Sequence, residues 1–182
     1  VPDLSFIHGL PGQKIIMKGN HEYWWSTVRK VNTLLEDRNF CSIRLLYNSA
    51  IYIEESCISI CGTRGWKCPA NDADGGLCSD FSQQDLKIYK REVQRLEMSL
   101  REGKKYSDRL LVFMHFPPFN HRQEPSDFTE LLESYEAEAC FYGHLHGPSH
   151  RYALCGRLPG GGKTIYRLIS ADYIDFTPYK VL

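Results

Sequence analysis

The alternation of apolar and polar positions divides the chain into short buried strands separated by amphipathic helices. Residues 14–18, Lys-Ile-Ile-Met-Lys, form a compact apolar run that suits a buried strand and stops at Gly19-Asn20-His21. From 26 to about 37, Val28, Val31, Leu34 and Leu35 recur at helical spacing, which predicts an amphipathic helix. Residues 43–61 are rich in Ile and Tyr and predict two or three short strands. A long irregular segment then covers 62–81, with many Gly, Asp, Asn and Pro residues. Loops of that length in a compact domain are commonly functional or disordered.

The clearest helix is predicted over 82–102. Ser82 and Asp85 make an S-x-x-D capping box, Leu86, Tyr89, Val93, Leu96 and Leu100 line one face, and Gly103 is read as the C-terminal stop. Leu110-Leu111-Val112-Phe113-Met114 is a buried strand running into His115. A further helix is expected from 126 to about 138, with Phe128, Leu131, Leu132 and Tyr135 inward. Residues 139–142 form a strand that empties into Gly143-His144-Leu145-His146-Gly147. Two more strands, near 150–155 and 164–171, read as a hairpin around Gly160-Gly161-Gly162. Helices alternating with buried strands predict an α/β fold with mixed sheets.

Composition narrows this picture. The chain has 182 residues, 42% hydrophobic and 24% charged, enough for one domain with a stable core. Lys+Arg and Asp+Glu both number 22, so no broad basic surface is available and nucleic-acid binding is not expected. No apolar run approaches the roughly 18 residues of a membrane span, and no membrane partner is expected. The seven cysteines show no C-x-x-C, and the spacing of Cys57, Cys61, Cys68 and Cys78 matches no common zinc pattern. They read as thiols in a reducing, cytoplasmic setting.

The candidate chemistry lies at strand ends. Three predicted strands finish at their carboxyl side in polar, nitrogen-bearing clusters: Gly19-Asn20-His21-Glu22, His115, and Gly143-His144-Leu145-His146. Active sites of open α/β sheets form beyond the carboxyl ends of the strands, so these segments should deliver Asn20, His21, His115, His144 and His146 to one crevice. Imidazole suits Zn, Fe, Mn and Ni, and an Asn carbonyl adds a harder oxygen. Arg64 and Trp66, at the start of the long loop, are candidates to contact a substrate phosphate and to wall its pocket; an Arg paired with a loop Asp is the alternative. His121 and His150 read as supporting or surface histidines. Gly160-Gly161-Gly162-Lys163-Thr164 is not a phosphate-binding P-loop, which requires Gly where the chain has Arg157.

Gly-Asn-His-Glu at 19–22, His115 after an apolar strand, and Gly-His-Leu-His at 143–146 resemble three ordered motifs of the calcineurin-like metallophosphoesterases, over about residues 14–172. The resemblance implies a four-layer α/β/β/α sandwich of mixed sheets. It implies two divalent metal ions (Mn, Fe, Zn or Ni), with Asn20, His115 and His144 on one and His146 on the other. His21 resembles the catalytic histidine that contacts phosphate, and Glu22 would orient its ring. The implied reaction is hydrolysis of a phosphoester, on a small molecule or a phosphoprotein, by a hydroxide bridging the metals.

The family's Asp-x-His and Gly-Asp-x-x-Asp strand ends do not occur before Asn20. Two strands and a helix need about 30 or more residues, whereas thirteen precede Lys14. The expectation is a single phosphoesterase domain over 1–182, N-terminally incomplete and missing its first strands, with weak metal binding and little turnover alone. The competing expectation is a non-catalytic binding or scaffold protein with a degraded phosphoesterase site. Oligomeric state is not readable from the sequence.

Overall fold

A computed structural model describes residues 2–21, 27–70 and 81–181. The first element is a helix the hydrophobic pattern does not announce, α1 (Pro2–Gly9), in which Leu4 alone is buried. It is followed by β1 (Lys14–Met17), α2 (Val28–Asp37), β2 (Ile43–Leu46), β3 (Ala50–Ile53) and β4 (Ile58–Thr63). Then come α3 (Gln83–Lys104), β5 (Leu110–Met114), α4 (Asp127–Ser134), β6 (Ala139–Tyr142) and β7 (Ile165–Leu168). The fold is α/β with mixed strands. β1 and β2 form a small parallel sheet, while the larger sheet has the order β3-β4-β5-β6-β7, parallel except for the β3–β4 hairpin.

Strand alternation decides which side chains meet the helices. Leu110, Val112 and Met114 of β5, with Cys140 and Tyr142 of β6, join Leu96 and Leu100 of α3 and Phe128 and Leu132 of α4 in the main core. Leu111 and Phe141 point to the opposite face with Ile58. The small sheet has its own core, where Val31 and Leu35 of α2 pack with Leu4 and Ile43. The two sheets approach at Leu46 and Ile60, beside an apolar cavity of about 220 Å³.

Helix ends follow their capping chemistry. The Ser82 hydroxyl accepts from Asp85 N, and the Asp85 carboxylate accepts from Ser82 N at 2.9 Å. The same carboxylate accepts from Trp66 Nε1 at 3.0 Å and pairs with Lys67 at 3.1 Å, which ties the loop after β4 to the start of α3. Those hydrogen bonds, led by Ser82, hold the Asp85 carboxyl well below the usual range.

Three expectations need correction. Gly103 does not stop α3; it lies buried inside the helix, and a Cβ there would collide with Cys61 Sγ. Glycine at this position permits close packing of α3 on β4, not a left-handed cap. α4 ends at Ser134, earlier than predicted, with Glu136 in the left-handed region at φ 53°. Residues 150–171 do not form a hairpin: 147–152 make a 3₁₀ helix, and β7 runs parallel to β6, bridged to the preceding segment at Gly156–Tyr166. The Gly160–162 stretch is instead seated by Glu133, whose carboxylate accepts from Lys163 N at 2.7 Å and Thr164 N at 3.0 Å.

Gly62 carries a different packing demand. A Cβ there would fall inside the Phe113 carbonyl oxygen of the paired strand. Gly62→Ala is therefore expected to destabilise by about 1–3 kcal/mol through overpacking, read as a lower urea midpoint. A midpoint equal to wild type would show that β4 and β5 separate at no cost.

Candidate metal centre

The sequence places three side chains at neighbouring strand ends, and backbone hydrogen bonds fix the ends to one another. After β4, the Arg64 carbonyl accepts from His115 N at 3.1 Å and Phe116 N at 2.9 Å. After β5, the His115 carbonyl accepts from Gly143 N at 3.2 Å. Adjacent parallel strands thus hand their first loop residues from one to the next, and the loop carrying His115 is held on both sides.

The His115 and His144 side chains converge with Asn20, which follows β1 in the other sheet. His115 Nε2 lies 2.6 Å from Asn20 Oδ1 and 3.1 Å from His144 Nδ1. One ring nitrogen offers a single in-plane proton or lone pair, so it cannot hydrogen-bond well to both neighbours at once. A cation shared by the three atoms would resolve the conflict. Donors at about 2.0–2.2 Å from a first-row ion sit about 3 Å apart on neighbouring octahedral corners. The donor set of two imidazoles and one amide oxygen therefore fits a divalent transition ion. Among the described residues, no group of three or more His, Cys, Asp and Glu side chains converges on a metal position. The amide oxygen of Asn20 is what completes this trio.

The local electrostatics favour the ligand form of His144. Burial pulls its pKa below the usual imidazole range, and electrostatic interaction with His146 and His21 acts in the same direction. A neutral ring keeps a lone pair for a cation. The same residue holds φ at 71°, a left-handed conformation that is uncommon outside glycine. Such strain persists where the surroundings over-determine it, and it concentrates at functional sites. Phe116 packs on the His144 ring with centroids 4.1 Å apart, fixing its plane.

The remaining predicted residues occupy varied positions. His21 is exposed and lies within electrostatic reach of His144. Glu22 lies outside the described residues. His146 is not among the three converging donors: its Nδ1 faces Asp172 Oδ1 at 2.7 Å. Arg64 is 8% exposed, and its Nη2 donates to Glu92 Oε1 at 3.1 Å. This ion pair is with a helical glutamate; the loop aspartates Asp72, Asp74 and Asp80 lie outside the described residues. Arg64 also lines a cavity of about 550 Å³ with Lys18, Thr27, Arg29 and Tyr47. A second cavity, of about 280 Å³, opens beside His144 between Lys67, Phe116, Phe119 and His121.

Compared with protein-family models, curated proteins and solved structures, the chain matches none. Among the described residues no helix is long and apolar enough to cross a membrane. The described cysteines are unpaired, and burial raises the Cys61 and Cys68 thiols to about 12, which leaves them inert as nucleophiles.

Sequence reasoning missed Asp172. Its Oδ2 accepts from Gly147 N at 2.9 Å and lies 3.3 Å from His150 Nε2. The Gly147 N–H and the His146 ring hold its carboxyl well below the usual range. The signal available was an acid in the segment directly after β7, the next strand in the sheet from the one that carries His144 and His146.

Proposed function

We propose that this chain carries the metal centre of a phosphoester hydrolase of the calcineurin-like metallophosphoesterase kind. The observation that supports the reading is the convergence of Asn20 Oδ1, His115 Nε2 and His144 Nδ1 from three strand ends. In this reading the two sheets are the inner layers of an α/β/β/α sandwich. Helices α3 and α4 lie outside one sheet, and α1 and α2 outside the other.

Asn20, His115 and His144 would hold one divalent ion, and His146 would face a second. Divalent cations held there would supply Lewis-acid activation of water and of the phosphoryl oxygens. The chain's own residues do the rest. His21 is exposed beside the trio, where its ring nitrogen would hold a phosphoryl oxygen and deliver a proton to the leaving oxygen. Glu22 would orient that ring. Arg64, tied to Glu92, would lend fixed positive potential to the wall of its cavity and would not act as a mobile clamp. The substrate would be a phosphoester of a small molecule or a protein, its alcohol portion entering the aromatic cavity beside His144.

The test uses protein produced from the complete reading frame and stripped of metal. Titration with Mn(II), followed by loss of the free-ion EPR signal, should show at least one bound ion per chain. The loaded protein should then hydrolyse p-nitrophenyl phosphate or bis-p-nitrophenyl phosphate. Metal binding without hydrolysis of either ester would favour the binding or scaffold role, and absence of binding would remove the metal centre itself.

A further inference from the structure

We propose that Asp172 is a positioning residue that holds His146 in one tautomer, with Nδ1 protonated and Nε2 left as the donor to a divalent cation. The inference rests on the proposed role of His146 as a metal ligand, and it starts from the chain just after β7. Ile169 N donates to the Tyr142 carbonyl at 2.8 Å, extending the β6–β7 pairing one residue beyond the strand. The chain then turns at once: Tyr173 N and Ile174 N donate to the Ser170 carbonyl, and Phe176 N donates to the Ala171 carbonyl. This tight turn carries Asp172 to residues 146–150 at the end of the neighbouring strand's loop.

Both carboxylate oxygens of Asp172 are committed there. Oδ1 accepts from His146 Nδ1 at 2.7 Å, a length typical of a charge-assisted bond, and Oδ2 accepts from Gly147 N at 2.9 Å. His150 Nε2 stands 3.3 Å from Oδ2 on the far side, and its ring packs edge-on against Tyr173. The backbone N–H makes the difference from an ordinary surface pair. It anchors the carboxylate to the loop that bears His146, so the imidazole is oriented relative to its own main chain. The His146 side chain is 64% exposed. Without this tether the ring would be free to sample other rotamers and the opposite tautomer. A carboxylate on one imidazole nitrogen fixes ring orientation and raises the basicity of the other nitrogen, which is how outer partners tune metal-binding histidines.

The arrangement also predicts that asparagine is not a conservative replacement. Asp172 receives two N–H donors on two oxygens. Asn has a single acceptor oxygen, so its amide NH₂ must face either the His146 N–H or the Gly147 N–H. The ring can relieve that clash by moving its proton to Nε2, the atom that would otherwise bind the cation.

The test is a long-range ¹H–¹⁵N spectrum of the metal-free protein at a pH where imidazoles are neutral, with His146 assigned by its loss in His146→Gln. Wild type should show the Nδ1–H tautomer, and Asp172→Asn should shift His146 toward Nε2–H. Zn(II) affinity, measured by competition with a chromophoric chelator, should fall about 10–100-fold in Asp172→Asn, with recovery in Asp172→Glu. Unchanged circular dichroism in Asp172→Glu guards against a folding defect. A wild-type His146 already in the Nε2–H form would overturn the proposal. So would a tautomer shift that leaves the Zn(II) affinity of the wild type intact. If wild type binds no Zn(II), the phosphoesterase reading fails, while the tautomer spectrum still decides what Asp172 does to His146.

Discussion

Replacing Glu92 with alanine is expected to lower the unfolding free energy by about 3–5 kcal/mol, the usual range when one partner of a buried ion pair is removed. Glu92 sits on the inner face of α3 with no solvent exposure. Its Oε1 accepts from Arg64 Nη2 at 3.1 Å and Arg95 Nη1 at 2.6 Å, and its Oε2 accepts from Thr63 Oγ1 at 2.8 Å. Truncation would leave the Arg64 guanidinium in the interior without this counter-charge, and Thr63 without its acceptor. Exposed pairs such as Lys105–Glu102 and Lys163–Glu136 lie at the surface, where such contacts contribute about 0–1 kcal/mol. Glu92→Gln, which keeps the volume and one acceptor, should cost less than alanine. Removing both charges in Arg64→Met/Glu92→Met should recover much of the loss, because no isolated charge remains buried. Urea unfolding of the single and double variants measures this directly. A Glu92→Ala midpoint matching a Glu102→Ala surface control would sink the argument. The loss should also reach the Asn20–His115–His144 cluster, since the Arg64 carbonyl seats His115 and Phe116.

How far the sequence foretold this molecule depends on the range of each determining contact. Strands β1, β5 and β6 and helix α3 were legible because apolar runs and an S-x-x-D cap are local signals. The strand-end position of Asn20, His115 and His144 was legible for the same reason: once a buried strand is recognised, its carboxyl end is known. That the three side chains would share a crevice followed from the strand-end rule, but which atoms meet and how closely was not legible, because that depends on how two separate sheets pack. Gly103 was misread because a glycine that ends a helix and one that admits a neighbouring strand look identical in sequence; the Cys61 contact that decides the matter is long-range. The mistaken hairpin has a similar origin. Gly160–162 is a turn signal, but the partner of β7 is the parallel strand β6, and parallel pairing leaves no local mark. Asp172 was passed over because an acid among turn residues ordinarily faces water, while its imidazole partner lies 26 residues earlier in the chain. The left-handed φ of His144 had no sequence signal, since glycine or asparagine is the residue expected there.

His115→Ala should have the largest effect on metal binding, with a loss of Zn(II) affinity greater than the about 10–100-fold that follows loss of an outer-shell partner. The reason is geometric. His115 Nε2 is the atom that both other donors approach, at 2.6 Å from Asn20 Oδ1 and 3.1 Å from His144 Nδ1. Its removal takes away the central member of the trio and leaves Asn20 and His144 without the neighbour that brings them together. Asn20→Ala and His144→Ala each keep two adjacent donors and should retain more affinity. His144→Ala keeps the Cβ that makes φ 71° unfavourable, so it removes a donor without relieving the backbone strain. His121 lies outside the trio and is exposed, and His121→Ala serves as the control that leaves binding unchanged. The His115 ring is only partly buried and touches Phe116 and His144 edge-on, so the His115→Ala chain should fold with a thermal midpoint near wild type. Chelator competition on the four variants ranks the donors. Equal affinity for wild type and His115→Ala would mean that the three strand ends form a hydrogen-bonded cluster and no cation site.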